Sequence, residues 1–180
     1  MSMLMHDHTI GKIRPATLAD VNVLNALVNS AYRGETSKKG WTTEADLLDG
    51  TRIDEAALHD LINKKGTTVL CYETESTIKA CVELREEEDK LYLGMLSVSP
   101  GLQGSGIGKV LLKEAEFFAK EKGLSYIYMT VISVRAELIA WYQRHGYQVT
   151  GERKPFVVPD IRWGIPKQPL EFVVLRKPIL

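Results

Sequence analysis

The segment that most constrains this chain is Gln103-Gly104-Ser105-Gly106-Ile107-Gly108, because of what stands on either side of it. Before it, Leu91 to Val98 is an apolar run of strand length. After it, Ile107, Leu111, Ala115 and Phe118 recur at helical spacing. A strand, a glycine-rich turn and a helix N-terminus in that order build a site for an anion. The first turn of a helix has N–H groups without intrahelical partners and carries the positive end of the helix dipole. Glycine lets a ligand come close to backbone. The segment therefore predicts a phosphate-bearing ligand.

Spacing removes two candidates. A P-loop needs Gly, four residues, then Gly-Lys-Ser/Thr. Here Gly108-Lys109 is followed by Val110, and Gln103 stands where the first glycine belongs. A dinucleotide fingerprint needs G-x-G-x-x-G. Gly106 and Gly108 supply the first pair, but Leu111 occupies the third position, and the segment falls past the middle of the chain.

Q-x-x-G-x-G from Gln103 to Gly108, preceded by Leu96-Ser97-Val98-Ser99-Pro100, resembles the acetyl-CoA-binding signature of the GNAT superfamily of N-acetyltransferases. A second segment, Ala140-Trp141-Tyr142-Gln143-Arg144-His145-Gly146-Tyr147, is similar to that family's later motif, and one strand, Ser125–Val131, fits between the two. The resemblance covers about Ile10 to Arg153. It implies an α/β fold: a mixed, mostly antiparallel sheet of about seven strands, flanked by helices and splayed at the cofactor strand. It implies acetyl-CoA as co-substrate and direct transfer of acetyl to a primary amine.

Carried onto this chain, the resemblance gives Gln103, Gly104, Ser105 and Gly106, with Ile107, Gly108 and Lys109 at the helix start, as the pyrophosphate cradle. Family members often place Arg or Lys directly after the Gln; here Gly104-Ser105 follows, so backbone amides and the dipole carry more of the task. Leu96, Ser97 and Val98 would offer their backbone to the pantetheine arm, and an N–H there would face the charge that builds on the acyl oxygen. Tyr142 is the expected acid for the departing thiolate. Arg135 stands where the family often has Asn, and a guanidinium there would reach a phosphate. Some members carry an acid early in the cofactor strand. Leu91, Tyr92 and Leu93 stand there in this chain, so Glu83, which interrupts the apolar run Ala80-Cys81-Val82-Glu83-Leu84, is the candidate base. Its alternative is a solvent-facing strand position.

The acceptor site is expected in the least regular segments. Gly40 to Gly50 carries Trp41, Glu44 and Asp46, a combination suited to a cationic amine. The proline-bearing loop Lys154–Pro169 carries Arg162 and Trp163, suited to a carboxylate. Together these would take an amino acid or short peptide.

The rest of the chain reads as one domain over residues 1–180. Ile10–Pro15 is a first strand, and Thr17 caps a helix with Leu24, Leu27, Val28 and Ala31 on its inner face. A second helix runs from Asp54 to about Lys65. Thr67–Glu73 and Thr77–Arg85 form a hairpin around Glu75-Ser76, and Glu86–Asp89 is an acidic turn. A helix from about Arg135 to Arg144 and strands Tyr147–Arg153 and Leu170–Arg176 complete the order. Lys and Arg number 23 and so do Asp and Glu, which argues against nucleic acid or an anionic membrane as partner. No apolar run approaches membrane-spanning length, and Met1–His8 lacks the apolar core of a signal peptide, so the cytoplasm is expected. The two cysteines, Cys71 and Cys81, read as buried reduced thiols, and no spacing suggests a metal. A homodimer is left open, as are longer acyl-CoAs. The rival functional reading is a non-catalytic CoA-binding module of the same fold.

Overall fold

The computed structural model describes residues 11–180 apart from Pro159. Ile10 of the expected first strand and the polar start Met1–His8 lie outside the described residues, as does Pro159 of the proline-bearing loop.

The chain folds as β1 (Lys12–Pro15), α1 (Val21–Tyr32), α2 (Gly34–Ser37), β2 (Leu48–Asp49) and α3 (Glu55–Asn63). It continues as β3 (Thr67–Thr74), β4 (Thr77–Glu87), β5 (Lys90–Val98), α4 (Ile107–Glu121) and β6 (Tyr126–Ile132). The last elements are α5 (Ala136–Arg144), β7 (Gln148–Pro155), β8 (Ile165–Pro166) and β9 (Glu171–Pro178). Seven strands form one sheet in the order β1-β3-β4-β5-β6-β9-β7. Every neighbouring pair is antiparallel except β5 and β6, which are parallel.

Local chemistry sets the element ends. Thr17 N donates to the Asp20 carboxylate at 2.8 Å ahead of α1, and Arg14 grips the same carboxylate at 2.8 Å. Asp54 accepts from Ala57 N at 2.8 Å and caps α3. The β3–β4 hairpin turns at Glu75 and Ser76, both at positive φ. Side chains alternate across the sheet with the two-residue period of strands. Leu70, Ala80, Val82 and Leu84 pack on the α4–α5 side. Val69, Cys71, Cys81 and Met95 meet Leu24, Val28 and Leu58 of α1 and α3 on the other. Leu24, Val28 and Leu58 are fully buried, each contributing roughly 1.5–3 kcal/mol of apolar burial. Cys71 and Cys81 face each other in register as free, buried thiols, and burial pushes the Cys71 thiol up to about 12.

Two departures from regularity open the sheet. β5 pairs with β6 only over Lys90–Tyr92, opposite Tyr126–Tyr128, and the strands diverge beyond. On its other side, β5 carries a bulge: Cys81 faces Ser97 and Glu83 faces Gly94, so β5 spends one more residue than β4 between those pairs. Met95 within that bulge has φ +53°, a conformation few non-glycine residues hold without surrounding constraint. The last residues of β5 therefore edge a cleft instead of a ladder.

The loop Lys154–Pro169 is more ordered than its prolines suggest. A 3-10 turn spans Ile161–Trp163, and β8 pairs with β2, Leu48 opposite Pro166 and Asp49 opposite Ile165. The two irregular segments singled out in the sequence thus meet each other. A two-residue strand has no periodicity from which it can be foreseen.

Candidate active site

The glycine turn sits as its spacing requires. Gly104 and Gly106 hold φ +83° and +90°, and Gly106 is the residue on which α4 begins. A Cβ on either would meet nothing within 4 Å, so the turn opens onto free space. The Gln103 side chain points away from that space. Its Oε1 accepts from Trp41 N at 2.8 Å and Thr42 N at 3.3 Å, while its Nε2 donates to Thr42 Oγ1 at 2.8 Å and Val98 O at 3.1 Å. Gln103 is a buckle joining the Trp41 segment to the end of β5, and its side chain has no capacity left for a phosphate. Gly40 belongs to this fastening, since a Cβ there would stand 2.3 Å from Gln103 Oε1.

The turn forms one end of a cavity of about 460 Å³, with Lys109, Val98, Trp41, Trp141 and His145 in its wall. His145 ends α5, its Nδ1–H donating to Trp141 O at 2.7 Å. A second cavity of about 410 Å³, the inner cavity, lies between Gly94–Leu96 of β5 and Met129–Ile132 of β6, with Phe156 and Trp163 in its wall. Tyr32, Leu96, Leu138 and Tyr142 line both cavities and mark where they meet.

Tyr142 is fixed by edge-on packing against Trp141 (5.0 Å between centroids) and Tyr147 (5.8 Å). It is only 6% exposed, and none of the hydrogen bonds among the described residues uses its hydroxyl. Burial holds its pKa well above the ordinary value, so at neutral pH it is a protonated donor. Tyr32 faces the same junction. Its hydroxyl donates to Leu96 O in a short hydrogen bond, and burial pushes it up to about 12. Tyr32 is absent from the sequence-based candidates. Its signal was its place four residues after Val28, on the inner face of α1.

The inner cavity is charged differently from the sequence expectation. Glu44 is buried, but Arg33 Nη2 stands 3.4 Å from its Oε2 and Arg135 Nη1 3.6 Å from its Oε1. A carboxylate shared by two guanidiniums has little attraction left for a cationic amine. Asp46 is exposed and lines neither cavity. Trp41 lines the turn cavity, where it packs 6.1 Å from Trp141, and so stands away from the acceptor position expected of it. Arg135 does not reach the turn. Its guanidinium donates to Thr42 O and faces the inner cavity, because Thr42 and Glu44 lie directly across from the start of α5. Arg162 is exposed and tied to Asp160 at 2.9 Å; of that pair only Trp163 lines the inner cavity, and its carbonyl accepts from Arg33 Nη1 at 2.8 Å. Glu83 is buried on the face of the sheet that packs against α1 and α3, with Arg85 Nη1 at 3.4 Å. Burial raises its pKa, and it lines neither cavity.

Among the described residues, no group of three or more His, Cys, Asp or Glu side chains is placed to hold a metal ion, and no helix is long and apolar enough to cross a membrane.

Residues 27–147 match the model of the acetyltransferase (GNAT) family. Streptothricin acetyltransferase of Streptomyces lavendulae is 35% identical over 72 residues, 40% of this chain and 38% of that protein. The chain spans between 38% and 53% of the length of the curated relatives it matches. The crystal structure of ribosomal-protein-alanine N-acetyltransferase from Brucella melitensis superposes with a TM-score of 0.69 at 25% identity, covering 94% of this chain and 99% of that one. The structure of yncA from Salmonella typhimurium with its cofactor acetyl-CoA superposes with a TM-score of 0.69 at 20% identity, covering 94% of each chain, and speaks for the fold alone.

Proposed function

Because the chain belongs to the GNAT family of acetyltransferases, we propose that it transfers an acetyl group from acetyl-CoA directly to a primary amine. One observation carries this reading: an anion cradle at one end of a cleft and a separate inner cavity share Tyr142 in their walls, a tyrosine kept protonated by burial and without a hydrogen-bond partner among the described residues. A donor with a long phosphate-bearing tail and an acceptor entering from the other side would meet there.

The residues present fit such a donor. The amides at the start of α4, with Lys109 beside them, hold the pyrophosphate, and the open space at Gly104 and Gly106 is the room it needs. The backbone of β5 beyond Tyr92, unpaired on its β6 side, is left for the amides of the pantetheine arm. Transfer forms a bond from the amine nitrogen to the acyl carbon and breaks the carbon–sulfur bond. Tyr142 donates its proton to the leaving sulfur and regains one from solvent. The proton lost by the amine passes to solvent water, since Glu83, paired with Arg85, lines neither cavity.

Thiol release from acetyl-CoA across a panel of primary amines tests the reading. Release that depends on amine and falls in Tyr142→Phe is expected. Tight acetyl-CoA binding with no acetylated amine would favour the non-catalytic module instead.

A further inference from the structure

We propose that the inner cavity takes an acceptor bearing a carboxylate as well as its amine, and that Arg52 holds that carboxylate. The amine half of this statement rests on the acetyltransferase reading; the carboxylate half rests on the charges in the wall.

Four charged side chains line the inner cavity: Arg33, Glu44, Arg52 and Arg135. Three are guanidiniums and one is a carboxylate. Both oxygens of Glu44 are engaged, one by Arg33 and the other by Arg135. Arg52 has no ion-pair partner among the described residues; its guanidinium rests 6.0 Å from the centroid of the Tyr32 ring. The count is unbalanced within Arg33 too, because its Nε is buried without a hydrogen-bond partner. Glu83 lies on the same face of the sheet, but it is taken by Arg85 and is not in the wall.

A cavity with this surplus repels an acceptor whose only charges are ammonium groups, and the repulsion grows as water is excluded. An acceptor that brings an anion removes it. A carboxylate is the matching shape, since a guanidinium offers parallel N–H donors to two oxygens at once. Arg52 is the free guanidinium, and it stands over Tyr32, which also lines the junction with the turn cavity. A carboxylate held at Arg52 would thus sit beside Tyr32, on the side of the inner cavity that adjoins the turn cavity. The rest of the wall mixes apolar side chains, Met129, Phe156 and Phe172 among them, with Thr130 and tyrosines, and a volume of about 410 Å³ has room for a ligand of amino-acid size. The class indicated is a free amino acid, or an amino acid analogue, with an apolar side chain.

The experiment uses matched sets from valine, leucine, methionine and phenylalanine: the L-amino acid, its amide and its decarboxylated amine. Each is given to wild type, Arg52→Gln and Arg52→Lys with acetyl-CoA, and kcat/KM is read from thiol release. Binding of each acid to the protein with CoA is read by calorimetry. The quantity of interest is the acid-to-amide ratio relative to wild type, because intrinsic amine reactivity cancels from it. Loss of a charged hydrogen-bond partner is worth roughly 10- to 100-fold, so Arg52→Gln should lower the ratio by about that factor and Arg52→Lys by less. An unchanged melting temperature in Arg52→Gln keeps misfolding out of the comparison.

A ratio unmoved by Arg52→Gln, or decarboxylated amines acetylated as well as the acids, overturns the carboxylate site and leaves the acetyltransferase reading standing. Acids that bind, lose binding in Arg52→Gln and are never acetylated support the site and count against the transfer. Acids that neither bind nor react overturn the site, and acetyl-CoA binding alone then judges the family activity.

Discussion

The cavity beside the glycine turn takes the largest share of its wall from one continuous stretch, Leu96 to Lys109, with α5 and its end, Tyr32, Trp41 and Thr42 closing it. The inner cavity takes its wall from side chains scattered along the chain: Arg33 after α1, Glu44 and Arg52 in irregular segments, Met129 on β6, Arg135 before α5, Trp163 in a 3-10 turn. The anion end of the first is made of backbone and helix dipole, so its chemistry follows from glycine positions. The second is made of guanidiniums and aromatic rings, so its chemistry follows from which side chains the fold happens to bring together. A constant donor and a variable acceptor would divide in this way: the backbone site is fixed by conformation, while the side-chain site can change its specificity one residue at a time.

The sharpest way to break this division is at the residue both cavities share. Tyr142→Phe keeps the ring between Trp141 and Tyr147 and removes only the hydroxyl. Turnover should fall by ~10²-fold, within the usual range of general-acid catalysis, while the dissociation constant for acetyl-CoA stays within about threefold. The pKa of Tyr142 is raised well above its ordinary value, so the wild-type enzyme should lose no activity between neutral and mildly alkaline pH through this group. Unchanged turnover in Tyr142→Phe would reduce Tyr142 to a packing role.

Gly106→Val attacks the turn cavity alone. The Cβ itself meets nothing in the protein, but a valine at φ +90° is strained and its methyls enter the open space. Strain of about 1–3 kcal/mol lowers the stability of the fold, and the methyls in the ligand's space should weaken acetyl-CoA binding by roughly 10-fold or more, read by calorimetry. Binding of carboxylate ligands in the inner cavity should be unaffected. If both bindings fall together, the cavities are not separable.

Gln103→Ala tests the buckle. It leaves Trp41 N, Thr42 N and Val98 O without partners and should cost about 2 kcal/mol in urea melts. Its effect on acetyl-CoA should be smaller than that of Gly106→Val, because it moves the wall instead of filling the site.

The smallest effect lies outside both cavities. Arg14 holds the Asp20 carboxylate down at about 2, against 3.8 ordinarily. The folded state therefore binds that proton less tightly than the unfolded chain. The stabilisation is fully present above pH ~4 and is lost as pH falls through ~2, by about 1 kcal/mol for a solvent-screened pair. Asp20→Asn should remove this pH dependence in urea melts at pH 7 and pH 3 and leave acetyl transfer alone.

The same contrast explains what could be read from the sequence. The glycine turn, β5, α4 and α5 are local, and glycine spacing and apolar period reveal them. The buried thiols followed from apolar runs, and the hairpin from its polar break at Glu75-Ser76. Arg33, Arg52 and Tyr32 were missed because their roles come from segments far apart in sequence. Glu44 was read as an amine clamp because nothing in the sequence shows that Arg33 and Arg135 converge on it. Its position before the second motif points Arg135 to the phosphates, whereas the fold turns it across the cleft to Thr42. Gln103 belongs to the turn as expected, but its side-chain polar atoms are spent on fastening a neighbouring segment.

On the proposed reading acetyl-CoA enters at the glycine turn and not in the charged inner cavity. The chain has three tryptophans: Trp41 and Trp141 in the turn cavity, and Trp163 in the inner one. The most direct measurement is a fluorescence titration with acetyl-CoA of the Trp163→Phe protein beside the Trp41→Phe, Trp141→Phe double variant. A saturable change that persists in Trp163→Phe and vanishes in the double variant is the predicted result. A change carried by Trp163 alone, or none at millimolar acetyl-CoA in wild type, would contradict it.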